Sequence, residues 1–143
     1  MILYLDTSAL IKLYVTEPGA TEIREAVTRA AANATHLIAY AETCAAFAKA
    51  ARVGRLDAGE ISHYRRAFDQ DWAQLDVVAV DAVMIHRAGD LALACDLRGY
   101  DSVHLAAAEA LAVVVGQEEL LFAAFDVALN KAARSLGLRL ISD

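Results

Sequence analysis

Two aspartates directly follow predicted strands, and a third opens a predicted helix, in positions that can bring their side chains to one edge of a parallel sheet. Asp6 comes directly after the apolar run 2–5, and Asp126 directly after the apolar run 120–125. Each precedes a predicted helix, and Asp101 opens another. Because side chains that follow the strands of an open parallel sheet lie in a crevice at its carboxyl edge, we expect Asp6 and Asp126 to face the same crevice. Asp101 can join them from the first turn of its helix.

A fourth acidic residue, Glu42, lies in a segment made almost entirely of small or apolar residues, 41–48. A carboxylate in such surroundings is costly to bury unless a partner compensates its charge, and a divalent cation would do so. Ligands that are all oxygen favour Mg²⁺ or Mn²⁺ over zinc. The candidate metal site therefore consists of the four acids Asp6, Glu42, Asp101 and Asp126.

Each of these acids also has an ordinary structural interpretation. An aspartate at a helix start caps free backbone N–H groups and suits the helix dipole. Taken singly, Asp6, Asp101 and Asp126 fit that role better than a ligand role. Glu42 alone fits an exposed helix stripe with Lys49 equally well. The four acids together favour a metal site over four unrelated roles.

The elements that must position these acids alternate along the chain. Largely apolar runs predict strands at 2–5, 37–39, 75–80, 120–125 and 138–141. Helices are predicted between them, at 9–15, 21–32, 40–53, 58–72, 82–97, 101–112 and 127–136. Apolar strands that alternate with helices are typical of a parallel sheet covered on both faces. We therefore predict an α/β fold, a three-layer α/β/α domain with a mainly parallel central sheet.

Length and composition restrict the class of protein further. A chain of 143 residues suits one domain, 1–143, and 58% hydrophobic residues exclude global disorder. The longest unbroken apolar stretches, 110–115 and 120–125, are too short to span a membrane. No basic segment precedes residue 5, so no signal peptide is expected. Two cysteines are too few for a disulfide scaffold, and we expect a reduced, cytoplasmic protein.

The charge of the chain bears on its partners. A net charge of −6 argues against a protein that coats nucleic acid with a broad basic face. It permits an enzyme that approaches a polyanion through bound metal ions. Ten of the thirteen basic residues are arginine, which recognises phosphate well. Nucleic-acid chemistry therefore stays open, provided that a metal is present.

Four motifs resemble those of one known family. The chain opens with Tyr-Leu-Asp-Thr-Ser-Ala-Leu-Ile-Lys-Leu-Tyr at 4–14, followed by Glu-Pro-Gly at 17–19. It continues with Tyr-Ala-Glu at 40–42 and Tyr-Asp-Ser-Val-His-Leu-Ala-Ala-Ala at 100–108, and ends with Phe-Asp at 125–126 and Leu-Gly-Leu at 136–138. In this order, and over nearly the whole chain, the sequence resembles the PIN-domain ribonucleases of the VapC toxin type.

The resemblance implies a metal-dependent endoribonuclease with a three-layer parallel fold. Asp6, Glu42, Asp101 and Asp126 would then form one acidic pocket for Mg²⁺ or Mn²⁺, supported by a hydroxyl of Thr7 or Ser8. RNA would be the substrate, and a homodimer and a cognate antitoxin protein are the implied partners. Whether one or two ions bind, and whether Asp101 or Glu42 orients the attacking water, stays open.

Several residues near the motifs invite further hypotheses. Arg98, three residues before Asp101, is the basic residue best placed to contact a phosphate. His104, three residues after Asp101, would face the same side of the helix. We expect a packed histidine beside the site there, with a phosphate contact as the alternative.

Other residues suggest surfaces for partners. Four arginines bracket the turn between two predicted helices and fit either an RNA or antitoxin contact or a solvated face: Arg52, Arg55, Arg65 and Arg66. An apolar surface through Leu10, Leu13 and Tyr14 is a candidate dimer interface.

Two other classes of protein compete with the nuclease. A phosphoacceptor signalling domain also combines a parallel sheet with aspartates and Mg²⁺. It would need adjacent acids after the first strand and a lysine after a late strand, whereas Thr7 follows Asp6 and Lys131 lies inside a helix. A non-catalytic PIN-like module that binds RNA or a partner is the second alternative. Such modules often lack an acid, and here all four are present.

Overall fold

A computed structural model describes residues 1–143 and contains one sheet of five parallel strands in the order β3–β2–β1–β4–β5. The strands are β1 (Ile2–Leu5), β2 (Ala32–His36), β3 (Asp76–Val78), β4 (Leu120–Ala123) and β5 (Arg139–Leu140). Seven α-helices connect them: α1 (Thr7–Leu10), α2 (Ala20–Arg29), α3 (Ala39–Arg52), α4 (Ala58–Trp72), α5 (Ala82–Cys95), α6 (Gly99–Val115) and α7 (Val127–Ser135). The predicted α/β class with a parallel sheet is confirmed.

The direction of the chain reverses across the sheet beside β1. The chain runs from β1 outward through β2 to β3, and then returns to β4 on the other side of β1. Leu5 pairs with Ala123, and the N–H of Asp6 donates to the Ala123 carbonyl at 3.0 Å. The carboxyl ends of β1 and β4 therefore open the crevice in which parallel sheets place their sites.

Apolar side chains cover both faces of the sheet. Alternate residues of β1 point to opposite faces, so Tyr4 belongs to one core cluster while Leu3 and Leu5 belong to the other. The first cluster contains mainly residues of α5, α6 and α7, and the second mainly residues of the first four helices. The result is the three-layer arrangement that the alternating pattern predicts.

The second strand lies outside the segment predicted for it. The prediction of a strand at 37–39 is wrong, because β2 consists of Ala32–His36 and residues 37–38 form a turn. The strand contains Asn33, Thr35 and His36, so it lacks the apolar run on which the prediction depended. It is nevertheless an inner strand, and the Thr35 hydroxyl donates to the Leu5 carbonyl at 2.7 Å. Pairing with both neighbours outweighs local preference here.

Other boundaries also differ from the prediction: the predicted helices 21–32 and 82–97 end at Arg29 and Cys95, and the predicted strands 75–80 and 138–141 shorten to Asp76–Val78 and Arg139–Leu140. Helix α6 continues to Val115, beyond its predicted end at 112, and ends at Gly116, whose φ is +96°. Strand β4 ends at Ala123 rather than at 125. The predicted helix 9–15 is a short α-helix, α1, followed by a 3₁₀ turn over Ile11–Leu13.

The apolar surface predicted near the amino terminus does not exist. Leu10 is completely buried and Tyr14 is 7% exposed, because both belong to the core on one face of the sheet. Only Leu13 is partly accessible. The prediction of a dimer interface through these residues is therefore wrong. None of the helices has the length and apolarity that a membrane crossing requires.

Candidate active site

A cavity of about 550 Å³ lies at the carboxyl edge of the sheet and contains all four predicted acids. Asp6 enters it from the end of β1, Asp126 from the loop after β4, Asp101 from the first turn of α6, and Glu42 from the first turn of α3. Three basic side chains also line it: Lys49, Arg52 and Arg98. The cavity therefore combines acids for a cation with cations for a polyanion.

Asp6 is the most buried of the four acids, with 3% of its surface exposed. Its Oδ1 accepts from the Ala9 N–H at 2.8 Å and so caps α1. The Ser8 hydroxyl donates to both carboxylate oxygens, at 2.7 and 2.9 Å. Burial raises the pKa of Asp6 to about 6, although the nearby His104 and these hydrogen bonds act in the opposite direction. A buried carboxylate of this kind gains from a cation beside it.

Ser8 also joins the first acid to the last. The Phe125 N–H donates to the Ser8 Oγ at 2.9 Å, which fixes the loop immediately before Asp126. Asp126 caps α7 through Oδ1, which accepts from the Leu129 N–H at 2.8 Å. Its Oδ2 lies 3.6 Å from Arg98 Nη2. Asp6 and Asp126 are thus both helix caps and cavity acids, so the two interpretations of these residues are compatible.

Arg98 lies between Asp101 and Asp126 and contacts both carboxylates. Its Nε donates to Asp101 Oδ2 at 2.8 Å, while its Nη2 faces Asp126. The Arg98 side chain is 78% exposed, so it can leave these contacts at little cost in packing. The guanidinium therefore partly neutralises Asp101 and Asp126 in this structure.

Glu42 is held by two donors on one of its oxygens. The Thr7 hydroxyl donates to Oε1 at 2.8 Å, and His104 Nε2 lies 2.7 Å from the same atom. Burial alone would raise the pKa of Glu42, but the hydrogen bond and charge of His104, together with Thr7, lower it below its usual value. Because both contacts fall on Oε1, the second oxygen, Oε2, remains available for a ligand.

His104 connects this carboxylate to the core of the sheet. It is 1% exposed, and its Nδ1 lies 3.0 Å from the Tyr4 hydroxyl. Since a carboxylate can only accept, Nε2 donates to Glu42, and in a neutral ring Nδ1 then accepts from Tyr4. Sequence reasoning missed Tyr4. The available signal was a polar-tipped residue inside an apolar strand, two positions before Asp6 and therefore on the same face.

The other histidines of the chain, and two acids that precede Asp101 in the sequence, lie outside the cavity. Asp90 and Asp96 are exposed on or just after α5, and Asp96 ends that helix with a φ of +52°. His63 and His86 are exposed. His36 is completely buried, and its Nδ1 accepts from the Ile38 N–H at 3.0 Å. None of these side chains lines the acidic cavity.

The donor set suits a hard divalent cation, because four carboxylates converge and no thiol or exposed imidazole competes. As the side chains stand, no three of the chain's His, Cys, Asp and Glu residues are close enough to share an ion. Arg98 accounts for part of this spacing, since it occupies the space between Asp101 and Asp126. The residues present therefore fit a metal that displaces Arg98.

Comparison with known proteins agrees with this arrangement. The family model for the PIN domain matches residues 3–135. The chain belongs to the PIN-domain family. Among curated relatives, this PIN domain is 36% identical to ribonuclease VapC45 of Mycobacterium tuberculosis over 138 residues, which cover 96% of the chain and 93% of that relative. The similarity spans all four acidic positions.

Solved structures share the fold at low sequence identity. PAE2754 from Pyrobaculum aerophilum has a TM-score of 0.68 at 19% identity, over 99% of this chain and 85% of that one. A toxin-antitoxin complex from Klebsiella pneumoniae has a TM-score of 0.58 at 17% identity, over 87% of this chain and 86% of that one. These likenesses support the three-layer PIN architecture.

Proposed function

We propose that this PIN domain is a metal-dependent endoribonuclease that hydrolyses phosphodiester bonds in RNA and acts as the toxin of a toxin–antitoxin pair. The observation that carries the proposal is the convergence of Asp6, Glu42, Asp101 and Asp126 in one cavity at the carboxyl edge of the sheet. The similarity to a relative named as a VapC ribonuclease supports the RNA substrate.

The four acids are first of all ligands in this proposal. A bound Mg²⁺ or Mn²⁺ would polarise the scissile phosphate and lower the pKa of a water molecule, so that hydroxide is supplied near neutral pH. Asp6, Asp101 and Asp126 would hold the ion together with Oε2 of Glu42. The chemistry of the donor set supports this assignment, because all four groups present carboxylate oxygen.

The neighbouring side chains position these acids. Ser8 fixes Asp6 by two hydrogen bonds, while Thr7 and His104 fix Oε1 of Glu42. Groups that are held in place before the substrate binds need little reorganisation when the transition state forms, so the free-energy cost of that reorganisation is small. Arg98 contacts a phosphate oxygen once it leaves Asp101 and Asp126, because its exposed guanidinium already lies at the mouth of the cavity.

Two protein partners complete the proposal. An antitoxin that covers the cavity would keep the ribonuclease inactive, and the shared fold with a toxin-antitoxin complex supports such a partner. We also propose a homodimer, formed through a surface other than the buried Leu10 and Tyr14. Sedimentation of the purified chain alone and with its antitoxin would establish both assemblies.

The experiment that tests the activity uses purified chain, free of antitoxin, and a pool of total RNA. We expect discrete fragments with Mg²⁺ or Mn²⁺, and intact RNA with EDTA. The variants Asp6→Asn and Asp101→Asn should leave the RNA intact in the presence of either metal. Lys131→Ala, which changes an exposed residue outside the cavity, is the matched control and should cleave like the wild type.

Two results would contradict the proposal. Intact RNA under every metal condition, from folded protein, would leave a module that only binds RNA or a partner. Cleavage that persists in EDTA or in both acid variants would exclude these acids as the catalytic centre. Sequencing the fragment ends of an active preparation would define which RNA is cut.

A further inference from the structure

Beyond the acidic centre, the cavity has a basic wall whose members have no carboxylate partner. Lys49 and Arg52 are exposed on α3 and line the cavity together with Glu42. Most arginines of the chain are paired with acids, and Arg55 and Arg65, which sequence reasoning grouped with Arg52, bind Glu17 and Asp69. Lys49 and Arg52 form no ion pair within 4.0 Å.

We propose that Lys49 and Arg52 form a phosphate-binding site for the RNA backbone on one side of the scissile bond. This inference rests on the proposed ribonuclease function, and it names which part of the substrate these two residues hold. The chemical class of the ligand is the phosphodiester backbone, which both side chains can bind whatever the base sequence. The site is separate from the acids that would hold the metal.

The spacing along α3 fits this role. Lys49 lies seven residues and Arg52 ten residues beyond Glu42, on the same helix, and all three line one cavity. At 1.5 Å per residue these separations are about 10 Å and about 15 Å along the helix axis. The two cations are therefore placed to contact backbone phosphates beside the scissile one rather than the metal itself.

The charges of the cavity also favour such a site. Without Lys49 and Arg52, the carboxylates of the four acids would face only one lysine or arginine side chain in the cavity, that of Arg98. Its wall would repel a polyanion outside the immediate reach of a bound metal. The two cations restore attraction along α3, whereas the adjoining cavity on the α5 side, where half of the lining residues are apolar, such as Ile85, Ala88 and Ala92, has no basic side chain other than Arg98. The backbone is therefore held on the α3 side.

Salt dependence of RNA binding tests the proposal. A fluorescein-labelled single-stranded RNA of about 20 nucleotides is titrated at several salt concentrations, with Mg²⁺, in the cleavage-deficient Asp101→Asn background. For single strands, log K falls with log salt, and each phosphate contact contributes about −0.7 to the slope. The double variant Lys49→Ala/Arg52→Ala should therefore have a slope that is shallower by about 1.4, and its affinity for the RNA at low salt should be at least about tenfold lower.

A matched control removes the same charge elsewhere. Arg24→Ala/Lys131→Ala deletes two exposed cations that form no ion pair within 4.0 Å and lie outside the cavity. We expect its slope to equal that of the background protein. The swap Lys49→Arg/Arg52→Lys, which keeps both charges, should restore the slope. Both alanines suit a helix, so the fold is expected to be retained.

Substrate length gives a second measurement that a nonspecific charge effect would not change. The RNA sequence that the wild-type chain cuts is shortened from either end. KM for each RNA is then measured with the wild type and with Lys49→Ala/Arg52→Ala, both of which keep Asp101. Because the two cations lie on one side of the acids, shortening from one end should abolish the effect of the double variant. Shortening from the other end should leave it unchanged.

The inference is overturned if the Lys49→Ala/Arg52→Ala and Arg24→Ala/Lys131→Ala variants give the same slope while the wild type cleaves RNA. An unchanged RNA slope with weakened antitoxin binding would assign the two cations to an acidic protein segment instead. If the wild type neither binds nor cleaves RNA with Mg²⁺, the proposed function itself fails. The cleavage assay that is run in parallel separates these outcomes.

Discussion

Replacing Asp6 by asparagine is expected to stabilise the metal-free protein while it abolishes RNA cleavage. Asp6 is almost completely buried, and burial raises its pKa from 3.8 to about 6. The folded chain therefore holds this carboxylate in its charged form at a cost in free energy. Asparagine has a similar shape and no charge, so it avoids that cost but offers a cation a much weaker ligand.

The size of the effect follows from the pKa difference. A rise from 3.8 to about 6 corresponds to about 3 kcal/mol, at about 1.36 kcal/mol for each pKa unit. Asparagine keeps an oxygen that can accept from the Ala9 N–H. Its NH₂ group, however, replaces one of the two carboxylate oxygens to which the Ser8 hydroxyl donates in the wild type. Losing one such contact costs about 1 kcal/mol. We therefore expect a net gain of about 2 kcal/mol.

The pH dependence gives the sign of the effect. Below the unfolded pKa of 3.8, both states of Asp6 are protonated and its raised pKa costs nothing. As the pH rises toward 6, the unfolded chain releases the proton and the folded chain keeps it, so the wild type loses stability. Above 6 the loss is complete and constant. The advantage of Asp6→Asn should therefore be small near pH 4 and full above pH 6.

Urea unfolding, followed by the fluorescence of the single tryptophan, Trp72, measures this directly. Both proteins are unfolded in EDTA over a pH series, and the difference between them isolates the contribution of Asp6. With Mg²⁺, the wild type should gain stability by mass action, and the variant should gain much less. A variant that is no more stable than the wild type above pH 6, or a difference independent of pH, would refute the reasoning.

The other predictions concern separate contacts. In titration calorimetry Arg98→Ala should bind Mn²⁺ more tightly than the wild type, because no guanidinium competes for Asp101. The same variant should have a higher KM for RNA. Weaker Mn²⁺ binding would contradict this and would assign Arg98 to orienting Asp101. Tyr4→Phe leaves the buried His104 Nδ1 without its donor and should cost about 1–2 kcal/mol in urea unfolding. Gly19→Ala should lower the thermal midpoint, because a Cβ there would overlap the Phe125 ring and φ is +88°; an unchanged midpoint would contradict this.

The parts of the fold that could be predicted from the sequence are those fixed by local signals. Strand β1 is an apolar run, and the residue after it, Asp6, both ends the strand and caps the next helix. Helix α4 matches its predicted bounds, because Asp57 and Glu60 form a capping box at its start. Strand β2 could not be predicted in this way, since its polar residues are acceptable only between two partner strands.

The same distinction holds for the candidate site. Sequence order places each acid after a strand or at a helix start, so their convergence could be expected once a parallel sheet was predicted. The contacts that hold Glu42 are different, because Thr7, Tyr4 and His104 come from distant parts of the chain. No local pattern distinguishes Arg52, which lines the cavity, from Arg55, which is paired with Glu17.

The central claim is that these four acids hold the metal that cleaves RNA. Mn²⁺ binding, followed by electron paramagnetic resonance in the same samples whose RNA cleavage is measured, tests it most directly. We predict that cleavage rises over the concentration range in which Mn²⁺ binds, and that Asp101→Asn and Asp126→Asn weaken both together. Cleavage without bound Mn²⁺, or unchanged Mn²⁺ binding in both variants, would contradict the account.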